Sequence, residues 1–217
     1  MVTYADICDR ALTDALTVFG AFHPSPGDHA PEGCGTLILL GPNEPGFWPH
    51  FTASPEYLDG CCNRLDRWST RVISKMADEF GATPLFPFGG PPFQPFIRWA
   101  NRSGRAWPSP VSLLVHDVAG LFASYRGALA LPERIALPPL PARPCDTCIE
   151  QPCRDACPAG AMSGPGYALD TCHTFLDTPD GNDCMTQGCN VRRACPISQS
   201  YDRKPEQSAF HMAAFHP

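Results

Sequence analysis

The feature that most constrains this chain is a dense group of cysteines in its last third, organised as two runs that each end in Cys-Pro. The first run is Cys145-x2-Cys148-x4-Cys153-x3-Cys157-Pro158. The second run consists of Cys172, Cys184, Cys189 and Cys195, the last followed by Pro196. Apolar periodicity disappears over the same stretch, so the segment has too little apolar core to fold alone. We expect its shape to depend on whatever the thiolates bind.

Disulfide bonds are one use for so many cysteines, and they are typical of exported proteins. The N-terminal stretch MVTYADICDRALTDALTVFG, however, carries charges where a signal peptide needs an apolar run, at Asp6, Asp9, Arg10 and Asp14. It predicts an amphipathic helix that is capped by Thr3 and ends at Gly20. We therefore expect the protein to stay in a reducing cytoplasm, where disulfides are rare.

Zinc and iron–sulfur clusters are the other two uses. Eight cysteines would suffice for two four-thiolate zinc sites, but such sites usually use C-x2-C pairs, and only Cys145 and Cys148 form one here. Two-cluster ferredoxins use C-x2-C-x2-C-x3-C-P, and the fourth cysteine of each run serves the other cluster. The first run has this pattern with two extra residues after its second cysteine. Two Cys-Pro endings suit crossed ligation, so we predict 4Fe-4S clusters and keep zinc as the alternative.

Crossed ligation divides the eight cysteines into two predicted ligand sets. The first cysteine set is Cys145, Cys148, Cys153 and Cys195. The second cysteine set is Cys157, Cys172, Cys184 and Cys189. Because the spacing within the second run is irregular, a single cluster with some free thiols stays open as an alternative. His173 lies beside a predicted ligand, and we expect it to be near the site rather than to bind metal.

Composition excludes several classes of function. The formal charge of −6 argues against a nucleic-acid-binding surface. No run of about eighteen apolar residues occurs, so we expect no membrane span. The 26 prolines predict long irregular connections.

Residues 1–143 carry most of the regular apolar patterning and predict an α+β domain with a sheet. Residues 35–41, GTLILLG, read as a buried strand. Ser54 begins a predicted helix that runs to Gly81, with Cys61 and Cys62 as small core residues on it. The segments VSLLVHD and LFASYRGALAL are predicted to pair as neighbouring strands.

A proline-rich loop in this domain is too aromatic for a simple linker. Its large aromatic side chains are Phe86, Phe88, Phe93, Phe96, Trp99 and Trp107. They predict either a pocket for a flat ligand or an irregular segment packed onto the sheet.

Residues 144–217 resemble the ferredoxin module of epoxyqueuosine reductases and reductive dehalogenases. The elements that carry the resemblance are CDTCIEQPCRDACP, the lone Cys172, and CMTQGCNVRRACP. The preceding stretch AGLFASYRGALALPERIALPPLPARPCDTC is similar to the hairpin that leads into that module, and to the closing strands of cytosolic cobalamin-processing proteins. The resemblance implies a nitroreductase-like α+β domain over residues 1–143 that binds cobalamin, followed by a ferredoxin-like iron–sulfur module over residues 144–217.

The chain departs from these families at the places where they keep substrate chemistry. No carboxylate occurs between Phe80 and Asp117, where an acidic proton donor is expected, and no tyrosine donor is identifiable. We therefore expect an iron–sulfur redox protein that transfers electrons to a partner protein or to a corrinoid, reducing its cobalt and releasing an upper ligand. The alternative is a ferredoxin-type electron carrier or accessory protein with no ligand besides its clusters.

Overall fold

The computed structural model describes residues 2–162 and 166–217 and shows a mixed α/β protein with a small antiparallel sheet and helices. The strands are β1 (Leu16–Phe22), β2 (Thr36–Pro42), β3 (Thr83–Leu85), β4 (Ala106–Pro108), β5 (Leu114–His116) and β6 (Gly127–Leu131). The helices are α1 (Tyr4–Leu12), α2 (Phe47–Thr52), α3 (Pro55–Leu58), α4 (Arg64–Phe80), α5 (Phe96–Arg102), α6 (Leu169–Leu176), α7 (Asn182–Gln187), α8 (Asn190–Ala194), α9 (Pro196–Ser200) and α10 (Pro205–Phe215). Short 3-10 turns occur at Pro26–Asp28, Pro144–Asp146, Pro152–Arg154 and Pro179–Gly181.

The chain divides into two compact units. The first comprises Met1–Arg105 and Ser124–Pro141, and the second comprises Ala106–Ala123 and Ala142–Pro217. The predicted boundary after residue 143 therefore differs from the observed one, because residues 106–123 join the cysteine-rich segment. The reason is apolar packing: Val111, Val115 and Leu121 share a core with cysteines of that segment.

The first unit is built on a four-stranded antiparallel sheet in the order β1-β2-β6-β3. The two central strands, β2 and β6, are buried along their whole length. Strand β2 runs Leu-Ile-Leu-Leu through its centre, and such a short apolar run is typical of a strand covered on both faces. The predicted buried strand at residues 35–41 is confirmed.

The N-terminal helix is shorter than its apolar pattern predicts. Its start is confirmed, because the Thr3 hydroxyl accepts from the Asp6 backbone N–H and the Asp6 carboxylate accepts from the Thr3 backbone N–H. The prediction that it continues to Gly20 is wrong: α1 ends at Leu12, and residues 16–22 form β1 instead. Residues 16–22 pair with β2 along the whole length of the strand, and this pairing outweighs the helical spacing of their apolar residues.

The long helix predicted from Ser54 to Gly81 is interrupted. Ser54 caps only the short helix α3, and the chain passes through left-handed backbone at Gly60 (φ 69°) and Asn63 (φ 52°) before α4 begins. Cys61 and Cys62 lie in this break and are exposed, so their prediction as core residues is wrong. The predicted left-handed end at Gly81 is confirmed.

The two segments predicted as one strand pair form separate pairings. Strand β5 pairs with β4, whereas β6 pairs with β2 and β3. The pattern predicted strands at both places but could not identify their partners, since the two strands belong to different units.

Asp28 ties α5 to the connection between β1 and β2. Its side chain is 2% exposed and accepts from Arg102 Nε at 2.9 Å and from the Ser25 backbone N–H at 2.8 Å. Trp99 Nε1 donates to the Asp28 carbonyl oxygen at 2.7 Å. Burial opposes ionisation of Asp28, but the hydrogen bonds from Ser25 and Arg102 outweigh it, so the pKa of this carboxyl lies below its ordinary value.

We expect Asp28→Asn to lower the free energy of unfolding by about 1–3 kcal/mol at neutral pH, since Arg102 and Ser25 lose a charged acceptor. A lowered folded-state pKa contributes stability above the ordinary carboxyl pKa of about 3.9, and the contribution is lost as the pH falls through the folded-state value. Urea unfolding should therefore show a gap between the two proteins at neutral pH that narrows in acid. A gap of equal size at both pH values would contradict this role for the carboxylate.

No helix in residues 2–162 and 166–217 is long and apolar enough to cross a membrane.

Candidate metal centre

The second unit contains a cavity of about 230 Å³ whose wall carries every member of the first cysteine set. Cys153 and Cys195 are buried, and Cys145 and Cys148 are partly buried. The remainder of the wall is mainly apolar and proline-rich: Ser109, Pro110, Val115, Leu121, Pro144, Thr147, Gln151, Pro152, Pro196 and Ile197. Four thiols from separate stretches of chain thus face one small, largely apolar space.

Local backbone geometry explains how the first run reaches this cavity. Two 3-10 turns, each opened by a proline, place Cys145 and Cys153 at equivalent second positions. Between them Gln151 adopts left-handed backbone (φ 43°), which reverses the chain at the point where this run is longer than the ferredoxin pattern. The extra residues are therefore taken up in a turn, and the cysteines on either side still converge.

Cys195 reaches the same cavity from the second run. It has extended backbone (φ −68°, ψ 123°) between α8 and α9, and Pro196 is the first residue of α9. A proline fits the first position of a helix but cannot continue a preceding one, so it forces the break at which Cys195 points into the cavity wall. This gives a structural reason for the second Cys-Pro pair.

The second cysteine set is connected mainly through Cys189. Burial raises the pKa of the Cys172 thiol, a hydrogen bond with Tyr167 lowers it, and the neighbouring Cys189 and Cys157 thiolates raise it again. Burial likewise raises the pKa of Cys184, the Asn190 backbone N–H lowers it, and Cys189 raises it. Cys157 and Cys189 also pack against the apolar core that contains Val115, Leu121 and Val191.

The electrostatics of the first cysteine set call for a cation. Burial raises the pKa of the Cys153 thiol, and the thiolates of Cys195, Cys145 and Cys148 raise it further. Burial also raises the pKa of Cys145, Arg143 lowers it, and Cys195 and Cys148 raise it. If all four cysteines lost their protons in this cavity they would repel one another, and a positively charged metal group would offset that repulsion. The residues present thus fit a thiolate-bound metal group.

The arrangement does not match a site for one ion. All twelve cysteines are free thiols. Within the described parts of the chain, no group of three or more His, Cys, Asp or Glu side chains is placed to hold a single metal ion.

His173 contacts the C-terminal helix. Its Nδ1 lies 2.6 Å from Nδ1 of His216, and its ring stacks on Phe215 with centroids 4.7 Å apart. His216 Nε2 lies 3.0 Å from Asp177 Oδ1. These described contacts of His173 are with the end of α10, which closes at Phe215 with His216 as its C-cap.

The structure places the six aromatic residues proposed for a flat ligand in different settings. Phe96 and Trp99 are buried on α5, Phe86 and Phe88 stack with centroids 5.2 Å apart, and Phe93 is 66% exposed. Trp107 lies on β4 in the second unit. A groove of about 830 Å³ runs along α5, and Phe96 is the single member of the six that lines it. Its other lining residues are Pro87, Gln94, Pro95, Ile97, Arg98, Asn101 and Arg102.

Comparison of this chain with protein-family models, with curated proteins and with solved structures found no match.

Sequence reasoning missed two contributors to the site. Residues 106–123 supply Val115 and Leu121 to the cavity wall, although they contain no cysteine and precede the metal-binding motif. Arg192 on α8 donates to the carbonyl oxygen of Leu121, a residue of the cavity wall, and no sequence pattern indicates this contact.

Proposed function

We propose that this protein is an iron–sulfur redox protein whose second unit is a ferredoxin-like module for two 4Fe-4S clusters. The first cysteine set would hold one cluster and the second cysteine set the other. When bound, such a cluster accepts one electron from a reduced donor and passes it to an acceptor. The function that the geometry supports best is therefore electron transfer to a redox partner protein.

The observation that carries this proposal is the single cavity shared by the first cysteine set. Spacing and crossed ligation predicted that Cys195 joins the first three cysteines and that Cys157 does not. The cavity is lined by Cys195 and not by Cys157. This grouping was predicted from a ferredoxin pattern. Because it leaves out Cys157, the cysteine that follows Cys153 in the sequence, it supports the cluster interpretation.

The zinc alternative has less support. Two four-thiolate zinc sites would usually be built from C-x2-C pairs, and only Cys145 and Cys148 form one here. The cavity wall includes the apolar side chains of Val115, Leu121 and Ile197, and an apolar surround is one of the features that set the reduction potential of a cluster.

Protein purified without oxygen should be brown, and reduction with dithionite should give the electron paramagnetic resonance signal of a reduced 4Fe-4S cluster. Power saturation and temperature dependence distinguish this signal from that of other iron species. A colourless preparation with no signal after reduction, in protein that contains zinc, would overturn the proposal.

A second candidate is electron delivery to a corrinoid on the first unit, which would then be a nitroreductase-like domain. The observation that favours it is the groove along α5, in which Pro87, Pro95 and Ile97 offer an apolar surface and the half-exposed Arg98 offers hydrogen-bond donors. Of the six aromatic residues only Phe96 lines this groove, which favours the carrier function. Titration of the anaerobic protein with cob(II)alamin decides between them. A saturable spectral change that is lost in Arg98→Ala supports the corrinoid, and no change supports the carrier.

A further inference from the structure

The first turn of helix α10 contains two adjacent buried polar side chains, Gln207 and Ser208. Gln207 is 0% exposed and Ser208 is 3% exposed. Neither the amide nitrogen and oxygen of Gln207 nor the Ser208 hydroxyl has a hydrogen-bond partner among the described residues. Buried polar groups in folded proteins are almost always hydrogen-bonded, because leaving them unpaired is unfavourable. We therefore expect a further group beside this turn, which the described side chains do not supply.

The first turn of α10 lies against the segment between Cys184 and Cys189. Helix α10 packs on α7, which contains Cys184. The Ser208 side chain meets Gly188, since a Cβ atom added at Gly188 would lie 2.7 Å from the Ser208 Cβ and 3.1 Å from its hydroxyl oxygen. Gly188 also has left-handed backbone (φ 90°), which favours glycine. The unpartnered Ser208 hydroxyl is thus held beside the residue that precedes Cys189.

Helix α10 also contacts α6, which carries Cys172. The Phe215 ring stacks on the ring of His173, the next residue after that cysteine, with centroids 4.7 Å apart. One helix without cysteine therefore packs on the two helices that carry Cys172 and Cys184, and its first turn reaches the residue before Cys189. These three cysteines are members of the second cysteine set.

The chemistry of the two buried side chains fits sulfur acceptors. The Gln207 amide nitrogen carries two N–H donors, and the Ser208 hydroxyl carries one O–H donor. Hydrogen bonds to the sulfur atoms of a 4Fe-4S cluster are among the features that set its reduction potential. The first turn of a helix also carries the positive end of the helix dipole, which favours a negatively charged neighbour such as a thiolate-bound cluster.

We propose that Gln207 and Ser208 donate hydrogen bonds to sulfur atoms of the metal group bound by the second cysteine set, and that these bonds raise the reduction potential of that group. A hydrogen-bond donor stabilises the more negative, reduced form of the group more than the oxidised form. This inference rests on the proposed function, because it requires a redox-active group at these cysteines.

The test compares Gln207→Met and Ser208→Ala with the native full chain, all purified without oxygen. Both replacements remove the donors and keep most of the side-chain volume. Iron and sulfide are measured first, and a potentiometric titration followed by electron paramagnetic resonance then gives the midpoint potentials. We expect each variant to shift one midpoint potential to a more negative value and to leave the other unchanged.

Gln187→Met is the matched control, since it makes the same chemical change at the end of α7, two residues before Cys189. The Gln187 side chain is exposed, so water already satisfies its amide, and its loss should shift neither potential. A shift in this control as large as that in Gln207→Met would contradict the inference, because burial of the donor would then be irrelevant.

The outcomes separate the inference from the function on which it rests. Native protein without iron removes the proposed function and the inference with it. Unchanged potentials in fully loaded Gln207→Met and Ser208→Ala overturn the inference and leave the cluster function intact, because buried water rather than the metal group would then be the partner of these side chains. If only Gln207→Met loses iron, the potential of Ser208→Ala decides. Iron loss in both variants also overturns the inference, since the two side chains would then be needed for folding rather than for setting a potential.

Discussion

Replacing Cys153 by alanine should remove about half of the iron and sulfide from the protein, because one of two four-iron clusters loses a ligand. Cys195→Ala should have the same effect, although the two cysteines are far apart in the sequence, since both line one cavity. The double variant Cys153→Ala/Cys195→Ala should lose no more than either single variant. Metal analysis and the intensity of the reduced-cluster signal measure all three.

The crossed arrangement makes a sharper prediction for a second double variant. Cys153→Ala combined with Cys157→Ala should lose nearly all the iron, because these near neighbours in sequence belong to different sets. Uncrossed ligation would instead leave about half of it. Cys61→Ala is the matched control: Cys61 is exposed in the break before α4, and its removal should leave the iron content unchanged. Loss of iron in that control would contradict the assignment of ligands.

Removing the metal should unfold most of the second unit while the sheet of the first unit stays folded. The core of the second unit includes Cys153 and Cys195 together with Val115, Leu121 and Val191, so it is built partly from proposed ligands. Without the metal group the buried thiols lose their bonds, and few apolar side chains are left to order the segment. Strands β2 and β6, by contrast, are buried without any cysteine.

Hydrogen exchange on the full chain, before and after chelation under reducing conditions, tests this expectation. Amides of α7 and α8 should lose their protection in the metal-free protein, and amides of β2 and β6 should keep theirs. Reconstitution with ferrous iron and sulfide should restore the original pattern. The same exchange pattern with and without metal would show that the cysteines do not organise the unit.

The sequence predicted the features that depend on local chemistry. The Thr3–Asp6 cap, the buried strand at 35–41 and the stop at Gly81 each follow from a few adjacent residues, and each is confirmed. The grouping of Cys195 with the first run followed from the chemistry of Cys-Pro spacing in ferredoxins, and the cavity brings the same four residues together.

The features that depend on distant partners were not predictable in the same way. Residues 16–19 suit either a helix face or a strand, and only pairing with β2 decides for the strand. Cys61 fits the apolar repeat of α4, but it follows Gly60, where left-handed backbone interrupts the helix. An apolar repeat does not show where such an interruption falls. The Arg192 guanidinium donates to the Leu121 carbonyl oxygen, although the two residues are far apart in the sequence. The spacing of apolar residues cannot predict a contact of this kind.

Iron and acid-labile sulfide, measured per chain in protein purified without oxygen, test the central claim most directly. Two 4Fe-4S clusters predict about eight of each per chain. About two zinc ions per chain with no sulfide, or protein without metal that keeps its fold, would contradict it.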